Sequence, residues 1–384
     1  METYSILQRL IALDTVSRNS NMALMDYVQA TLASVGIKST LIPNEDGAKA
    51  NLYATIGPAD VGGVLLSGHT DVVPVDGQDW QMPPFSLTEQ DGRYFGRGTT
   101  DMKGFVACAM AAAIKAAGRP LRAPIHLGFS YDEEIGCQGV RSMIDMLQAM
   151  PVKPAMCIVG EPTSMTVATG HKGKVALQAE CIGRDGHSAL APFAMNALHL
   201  GCDLVQILRD VQAELQAGAV QDTDYDVPYI TVHVARMQGG VALNIVPNLC
   251  VVDFEIRNLA EDDPQVILAD IQARAQKVAE TARARAPEAD IRITPSFSYP
   301  GLNTAHNANV VQFVKSLTGS NSTCKVAFGT EGGLFDSVVG VPTVVCGPGS
   351  MDQGHKADEY VEVSQIARCD AMLDALIDRL CDGL

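Results

Sequence analysis

Five short segments of this chain bring histidine or acidic residues to the end of an apolar run, and they extend from residue 64 to residue 360. Their sequences are VLLSGHTDVVP, GRGTTDMKG, FSYDEEIG, IVGEPT and GPGSMDQGHKADEY. Together they supply two imidazoles, those of His69 and His355, and several carboxylates. Histidine and carboxylate side chains are ligands of hydrolytic zinc. The pattern therefore predicts one site, assembled from distant parts of the chain, that holds a pair of divalent metal ions.

Strand-like and helix-like runs alternate through the first half of the chain. Strands are predicted at IKSTLI, NLYATIG, GVLLSGH, IHLGFSY, AMCIVGE and, later, VPTVVCGPG, and helices over 22–35, 104–117 and 139–149. This alternation is typical of an α/β sheet with helices on both faces. Ligands of such sheets collect beyond the carboxyl ends of the strands. His69, Glu133, Glu134 and Glu161 all lie where a predicted strand ends.

A different pattern begins after residue 173. It consists of VALQAECIG, a helix over 193–217, YITVHVARM, NLCVVDFEIR, a helix over 264–285 and ADIRITPSF. This β-α-β-β-α-β order matches a ferredoxin-like module. Because His355 is needed with the earlier ligands, the first domain must resume after the module. We expect a catalytic domain formed by residues 1–173 and 297–384, with an inserted domain at 174–296.

Length and charge limit the class of protein. A chain of 384 residues exceeds what one hydrophobic core usually holds, so two domains are expected. The formal charge is −16 at pH 7. Nucleic acids and anionic membranes both bind basic surfaces, so neither is an expected partner. A small substrate is compatible with this charge, because a local cationic pocket can lie within an acidic protein.

The cysteines and the apolar runs predict a cytoplasmic location. None of the ten cysteines forms a C-x-x-C pair, and most lie in apolar stretches, where reduced buried thiols are expected. The first 17 residues have an early Glu2 and no basic flank, unlike a signal peptide. The longest apolar run, 105–114, is too short to cross a bilayer.

His69 and Asp71 form an H-x-D pair in an extended segment, so both side chains project from one face. A zinc-binding histidine usually donates its second ring N–H to a carboxylate or carbonyl, and Asp71 can accept it. The alternative is a histidine hydrogen-bonded within a turn.

Asp101 lies in a glycine-rich loop before a predicted helix. It is either a carboxylate shared by two ions or the N-cap of that helix.

Glu133 and Glu134 are adjacent, and adjacent residues of an extended chain point in opposite directions. One of them can therefore bind metal while the other takes a proton from the attacking water. The residues alone leave their order open. A solvated acidic turn that includes Asp132 is the alternative.

Glu161 and His355 complete the candidate ligand set. Glu161 ends an apolar strand, where a carboxylate without a metal or a cationic partner is costly to desolvate. His355 lies in a glycine-rich loop after a predicted strand. Both can also be ordinary loop residues. With Glu134 taken as a ligand, the predicted division is His69, Asp101 and Glu161 on one ion, and Asp101, Glu134 and His355 on the other.

The joint presence of GHTDVVP, GRGTTDMKG, DEE, GEPT and the late GH makes the chain resemble, nearly end to end, the dinuclear zinc deacylases. That family includes acetylornithine deacetylase, succinyl-diaminopimelate desuccinylase, aminoacylase and glutamate carboxypeptidase. Within it, the stretches most similar to the acetylornithine deacetylase group are LTEQDGRYFGRGTTDMKGF, GEPTSMTVATGHKG, FGTEGG and GPGS–QGHKADEYVE. The resemblance implies a zinc-exopeptidase-like mixed sheet flanked by helices, with the inserted domain acting as a lid and a dimerisation module.

The resemblance also implies an activity. The expected substrate is a small N-acylated amino acid, N-acetyl-L-ornithine, which is hydrolysed to L-ornithine and acetate in arginine biosynthesis. The expected cofactors are two divalent ions, zinc or alternatively cobalt, and the expected assembly is a homodimer formed through the lid. The alternative is another N-acyl-amino-acid deacylase, or a dipeptidase or carboxypeptidase of the same family.

Four roles follow from the resemblance, and a fifth, that of Glu331, is a separate hypothesis. Glu133 is the general base, and His187, in GRDGHSA, is the lid histidine that stabilises the tetrahedral intermediate. Arg257 matches the arginine that binds the substrate α-carboxylate, a task that suits a guanidinium because it can contact both oxygens. Asn244 is expected near the same carboxylate, and Glu331 near the amine of the substrate side chain. A loop or surface role is the alternative for the lid residues.

Overall fold

The computed structural model describes residues 2–218 and 221–384. The chain divides into two compact units, a first unit of Met1–His171 with Leu302–Leu384 and a second unit of Lys172–Gly301. The domain limits expected from the sequence, after residues 173 and 296, stay predictions; the units of the structure change at His171/Lys172 and Gly301/Leu302.

The first stretch of the first unit opens with two helices and then builds most of a sheet. Its helices are α1 (Thr3–Ile11), α2 (Met22–Ala33), α3 (Lys103–Ala116) and α4 (Arg141–Ala149). Its strands are β1 (Ser39–Pro43), β2 (Ala50–Ile56), β3 (Val64–His69), β4 (Thr88–Gln90), β5 (Arg93–Phe95), β6 (Ile125–Ser130), β7 (Met156–Pro162) and β8 (Val167–His171).

The second unit contains two long helices among its strands. The elements are β9 (Lys174–Ile182), β10 (Gly186–His187), α5 (Ala197–Ala217), β11 (Thr231–Gly239), β12 (Ile245–Val246), β13 (Leu249–Arg257), α6 (Pro264–Arg283) and β14 (Asp290–Tyr299). A 3₁₀ helix over Ser188–Phe193 precedes α5. The helix predicted from residue 193 therefore starts later, because the Asn196 side chain accepts the Leu198 N–H and caps α5.

The chain then returns to the first unit. The remaining elements are β15 (Leu302–Asn303), α7 (Asn309–Thr318), β16 (Thr323–Val326), α8 (Gly332–Leu334), β17 (Thr343–Gly347), β18 (Tyr360–Glu362) and α9 (Val363–Asp382). One π-helical turn, Phe335–Val339, follows α8.

Of the helices that the structure describes, none combines the length and apolarity needed to span a membrane. All ten cysteines are free.

The main sheet of the first unit has the strand order β1-β2-β6-β3-β7-β17-β8-β15, with β16 also paired to β8. The four central strands β6, β3, β7 and β17 are parallel, while β1, β2 and β15 join antiparallel. Every residue of β3, β6, β7 and β17 is buried. Parallel strands covered on both faces are continuously apolar, which explains the sequence runs. The predicted α/β class with a mixed sheet is confirmed.

Helix α3 packs closely onto this sheet. Most of its residues are buried, as expected for a helix that is apolar on all sides. The approach depends on Gly160 of β7, because a Cβ there would lie 1.9 Å from the Phe105 ring. Any larger residue would push the start of α3 away from β7. Gly160 thus brings Glu161 and the loop before α3 close together.

The second unit has its own core and sheet. Its strands are all antiparallel in the order β11-β13-β9-β14, and α5 and α6 pack against them. Burial alternates along β9 and β13, so one face of the sheet is covered and the other is open. Strand order and connectivity are those of a ferredoxin-like α+β fold.

Candidate active site

The candidate site lies at the carboxyl edge of the four parallel strands in the first unit. His69 is the last residue of β3, and Glu161 lies one residue before the end of β7. Glu133 and Glu134 follow β6, and His355 lies in the loop that follows β17. Because parallel strands end at one edge, residues far apart in the sequence meet there.

Asp101 connects the two histidines. Its Oδ1 lies 2.9 Å from His69 Nε2, and its Oδ2 lies 3.1 Å from His355 Nε2. The N-cap of α3 is Met102, and no side chain makes a cap hydrogen bond there. The N-cap alternative for Asp101 is therefore wrong, since its carboxylate contacts imidazoles on both sides. The Asp101–Met102 peptide bond is cis.

Two more carboxylates approach the same imidazoles. Glu134 Oε2 lies 3.0 Å from His355 Nε2, and Glu161 Oε1 lies 3.5 Å from His69 Nε2. The second oxygen of each, Glu134 Oε1 and Glu161 Oε2, is buried without a hydrogen-bond partner in the described chain. Unpaired buried carboxylate oxygens are costly unless a cation meets them, so this donor set fits metal ions.

Two sets of potential ligand atoms each lie within 4.8 Å of one another: those of His69, Glu133 and Glu161, and those of His69, Asp101 and Glu134. Glu133 thus belongs to one set, although the family resemblance implies that it is the base. The contacts of His355 with Asp101 and Glu134 define a third group. The division of these ligands between two ions stays a prediction.

Asp71 orients both His69 and the turn after β6. The His69 Nδ1–H donates to the Asp71 carbonyl at 2.9 Å, which leaves Nε2 facing Asp101. Asp71 Oδ1 lies 3.5 Å from His69 Nδ1, and three other donors contact the Asp71 carboxylate. These are the backbone N–H groups of Glu133 (3.0 Å) and Glu134 (3.3 Å) and the Ser17 hydroxyl (2.7 Å).

The acidic turn after β6 is not solvated. The Glu134 side chain is 6% exposed, and Asp132 is paired with the Lys49 ammonium. Glu133 Oε1 accepts a long hydrogen bond of 3.4 Å from the Cys137 thiol. The alternative of a solvated turn is wrong, because its carboxylates are held inside the unit.

Burial and mutual repulsion shape the charges of the site. Burial, reinforced by Asp101, raises the pKa of Glu134 to about 7 and holds that of Glu161 well above its ordinary value. Burial likewise raises the pKa of Glu133, with a contribution from Glu134. Burial opposes ionisation of Asp101, but hydrogen bonds from His355 and His69 hold its pKa below the ordinary value. Divalent cations would remove this repulsion and keep the carboxylates ionised.

Of the predicted lid residues, His187 lies on the β10–β12 ladder of the second unit, and Asn244 comes immediately before β12. The exposed His187 pairs with Ile245, and its Nδ1 accepts the Ala189 N–H at 3.1 Å. In the neutral ring the proton is therefore on Nε2. Asn244 is exposed, and its backbone carbonyl accepts the Ser188 N–H at 3.0 Å. Their contact with substrate stays a prediction.

The other two predicted substrate residues are partly or fully buried. Arg257 ends β13, and its Nε donates to Glu255 at 2.7 Å. Glu331 is 1% exposed, with the Ser67 hydroxyl 3.4 Å from its Oε2, and burial raises its pKa to about 7. Glu331 thus contacts β3 two residues before His69. Its proposed contact with a substrate amine, like that of Arg257 with a carboxylate, stays a prediction.

The sequence analysis did not single out Arg97 and Glu359, which form an ion pair of 2.6 Å with both side chains 1% exposed. Glu359 Oε1 also accepts the backbone N–H groups of Thr100 (3.0 Å) and Asp101 (3.1 Å). Both residues lie in segments already quoted, GRGTTDMKG and HKADEY. Both segments were expected to meet at the metal site, so the opposite charges of Arg97 and Glu359 could have predicted this ion pair.

Comparison with known proteins gives a consistent family. Residues 65–379 match the model of peptidase family M20/M25/M40. The acetylornithine deacetylase of Pasteurella multocida is 33% identical over 389 aligned residues, covering 100% of this chain and 98% of that protein. The acetylornithine deacetylase of Myxococcus xanthus is 33% identical over 382 residues, covering 98% and 97%.

A solved structure shows the same fold. The M20 family metallo-carboxypeptidase of Sulfolobus solfataricus superimposes with a TM-score of 0.81 at 19% identity, covering 100% of both chains. The family match, the similar full-length relatives and the clustered metal-ligand side chains agree with one another. This chain belongs to peptidase family M20/M25/M40 and is a metal-dependent hydrolase.

Proposed function

We propose that this enzyme hydrolyses the amide bond of N-acetyl-L-ornithine to L-ornithine and acetate, as a step of arginine biosynthesis. The observation that carries the two-ion chemistry is Asp101, whose two oxygens face two different imidazoles at 2.9 and 3.1 Å. The substrate is supported by relatives named acetylornithine deacetylase that align over nearly the whole chain. A cytoplasmic location is supported by ten free cysteines.

We assign the ligands as predicted from the sequence. One ion would be held by His69, Asp101 and Glu161, and the other by Asp101, Glu134 and His355. With Glu133, these side chains include four carboxylates, whose negative charge two divalent ions would balance. Bound there, the ions would polarise the amide carbonyl and lower the pKa of water. Zinc suits these nitrogen and oxygen donors, and cobalt is the alternative.

Glu133 is the proposed general base. Its backbone N–H is held by Asp71 at 3.0 Å, which fixes the start of the side chain. A ligand atom of Glu133 lies within 4.8 Å of those of His69 and Glu161, so its carboxylate is placed to take a proton from water at the proposed ions. Glu133 takes the proton of the attacking water and returns it to the leaving amine nitrogen. Both transfers use the same carboxylate, so no other acid is required.

The second unit would supply the groups that recognise substrate and stabilise charge. In the neutral ring of His187, Nε2 is the donor, because Nδ1 accepts the Ala189 N–H. That donor suits the oxyanion of a tetrahedral intermediate. Arg257 would bind the substrate α-carboxylate, with Asn244 beside it. Glu255 pairs with Arg257 and holds its guanidinium at the end of β13.

We propose that the enzyme is a homodimer through the second unit. In the described chain, this unit exposes Leu243 (101%), Val241 (85%) and Phe193 (78%). The β10–β12 ladder pairs His187 with Ile245, so the segments that carry these side chains start from neighbouring strands. Exposed apolar side chains of this size support an interface there. Sedimentation analysis should show a dimer for the wild type and a monomer for the variant Val241→Asp/Leu243→Asp; a monomeric wild type would contradict the proposal.

A deacylation panel tests the activity. We expect the purified protein to cleave N-acetyl-L-ornithine with a higher kcat/KM than neutral N-acetyl amino acids or dipeptides, and to lose activity on chelation. Metal content measured on the same sample should be two ions per chain. Activity that survives complete chelation would reject the mechanism, and a preference for dipeptides would reject the substrate.

In the same panel, Glu331→Gln should shift preference towards neutral substrates; no shift would contradict its role in binding the amine.

A further inference from the structure

His355 lies in a position that its own loop does not secure. Its side chain is 49% exposed, and its backbone has φ +61°, a region that residues other than glycine rarely adopt. Exposed loops move more than the strands they follow. A metal ligand must nevertheless keep its place to within a fraction of an ångström. Contacts from outside the loop must therefore hold it.

Gln78 makes such a contact. Its Nε2 donates to the His355 carbonyl oxygen at 2.9 Å. Its Oε1 accepts from Arg97 Nη2 at 2.6 Å and from Trp80 Nε1 at 3.0 Å. A flipped amide would turn its NH₂ group towards two donors and its oxygen towards a carbonyl. The two donors thus fix the orientation of the amide, and its N–H groups can only face the His355 loop.

Arg97 extends this contact to the other ligands. Its buried guanidinium pairs with Glu359 at 2.6 Å and donates to the Lys356 carbonyl at 3.3 Å. Glu359 in turn holds the Asp101 N–H at 3.1 Å. One continuous set of hydrogen bonds therefore runs from His355 through Gln78, Arg97 and Glu359 to Asp101. It fixes the distance between two ligands of the same proposed ion.

We propose that Gln78 is a positioning residue for His355, and that it sets the affinity of the ion held by Asp101, Glu134 and His355. The proposal rests on the two-ion site of the proposed function. Gln78 contacts His355 directly, whereas it reaches the ion on His69, Asp101 and Glu161 only through Arg97, Glu359 and the backbone of the shared Asp101. Loss of the Gln78 contact should therefore weaken one ion and spare the other.

The substitution Gln78→Glu isolates this contact. A glutamate keeps an acceptor for Arg97 and Trp80 but replaces the donor that faces the His355 carbonyl with an oxygen. Because its added negative charge would by itself favour cation binding, a loss of affinity identifies the lost hydrogen bond. Gln78→Met removes the amide without adding charge and should act in the same direction. Gln90→Glu, the same change at an exposed glutamine of β4, is the matched control.

The measurement is a titration of metal-free protein with Zn²⁺ against a competing chelator, with Co²⁺ absorption spectra as a second readout. We expect two ions in the wild type and in Gln90→Glu. In both Gln78 variants, the affinity for one ion should fall by about 10- to 100-fold while the other is unchanged. Unchanged affinities, or an equal loss at both ions, would overturn the positioning role. A wild type that binds fewer than two ions would instead overturn the two-ion site itself.

Discussion

Glu133→Gln is expected to lower kcat by about 10²- to 10⁴-fold while both metal ions remain bound, because an amide cannot accept the proton of the attacking water. Its backbone N–H would still donate to Asp71, so the turn keeps its position. Removing a buried carboxylate from an acidic cluster also relieves repulsion with Glu134. Steady-state kinetics, with metal content measured on the same sample, test the expectation.

Glu134→Gln is the informative companion to this variant. The two residues are neighbours with similar burial, but Glu134 Oε2 contacts His355 at 3.0 Å. We therefore expect Glu134→Gln to lose metal, whereas Glu133→Gln loses only rate. The reverse outcome, with metal lost only from the Glu133 variant, would exchange the two roles. The ligand set of His69, Glu133 and Glu161 makes this a real alternative.

Asp101→Asn is expected to have the largest effect on metal content. Asparagine offers one acceptor oxygen, so it cannot serve both the His69 side and the His355 side. Metal analysis after dialysis should show at most one ion per chain. The kcat/KM should fall by more than about 10²-fold, because substitutions outside the direct ligands of such sites already cost up to that much.

The control for this variant is Asp352→Asn, an exposed aspartate in the same loop as His355. It should keep two ions and full activity. Circular dichroism should show both variants folded, since the Asp101 N–H that binds Glu359 is unchanged by the substitution. Retention of two ions by Asp101→Asn with wild-type affinity would refute the shared-carboxylate assignment.

Much of the fold follows from patterns of short range. Helix α2 begins at Met22 as predicted from its apolar spacing, and α6 begins at Pro264, where Asp263 caps it. The buried strands of the main sheet lie at the predicted apolar runs. The order of these strands did not follow from the sequence, because pairing depends on contacts between distant segments. Strand β8 was not predicted, and the short strands β15 and β16 carried too few residues for a pattern.

Local sequence patterns also leave open which buried histidine belongs to the candidate site. His69 and His126 both lie in fully buried neighbouring strands, β3 and β6. His126 is the second residue of its strand, and its Nδ1 contacts the hydroxyls of Tyr53 (2.8 Å) and Thr55 (3.0 Å). Burial lowers its pKa to about 4. His69, at the carboxyl end, meets carboxylates instead. A histidine near the start of a strand thus contacts hydroxyls here, whereas a histidine at the carboxyl end of the neighbouring strand contacts the carboxylates of the site.

The residue types that bear the chemistry, and the strand ends at which they occur, could be predicted because apolar runs and their termini are local properties. How these residues meet became visible only in the fold: Asp101 faces two imidazoles, Asp71 holds the Glu133 turn, and Gln78 contacts His355. These contacts join segments of distant sequence position. Their distances depend on the packing of the whole first unit, which no local pattern encodes.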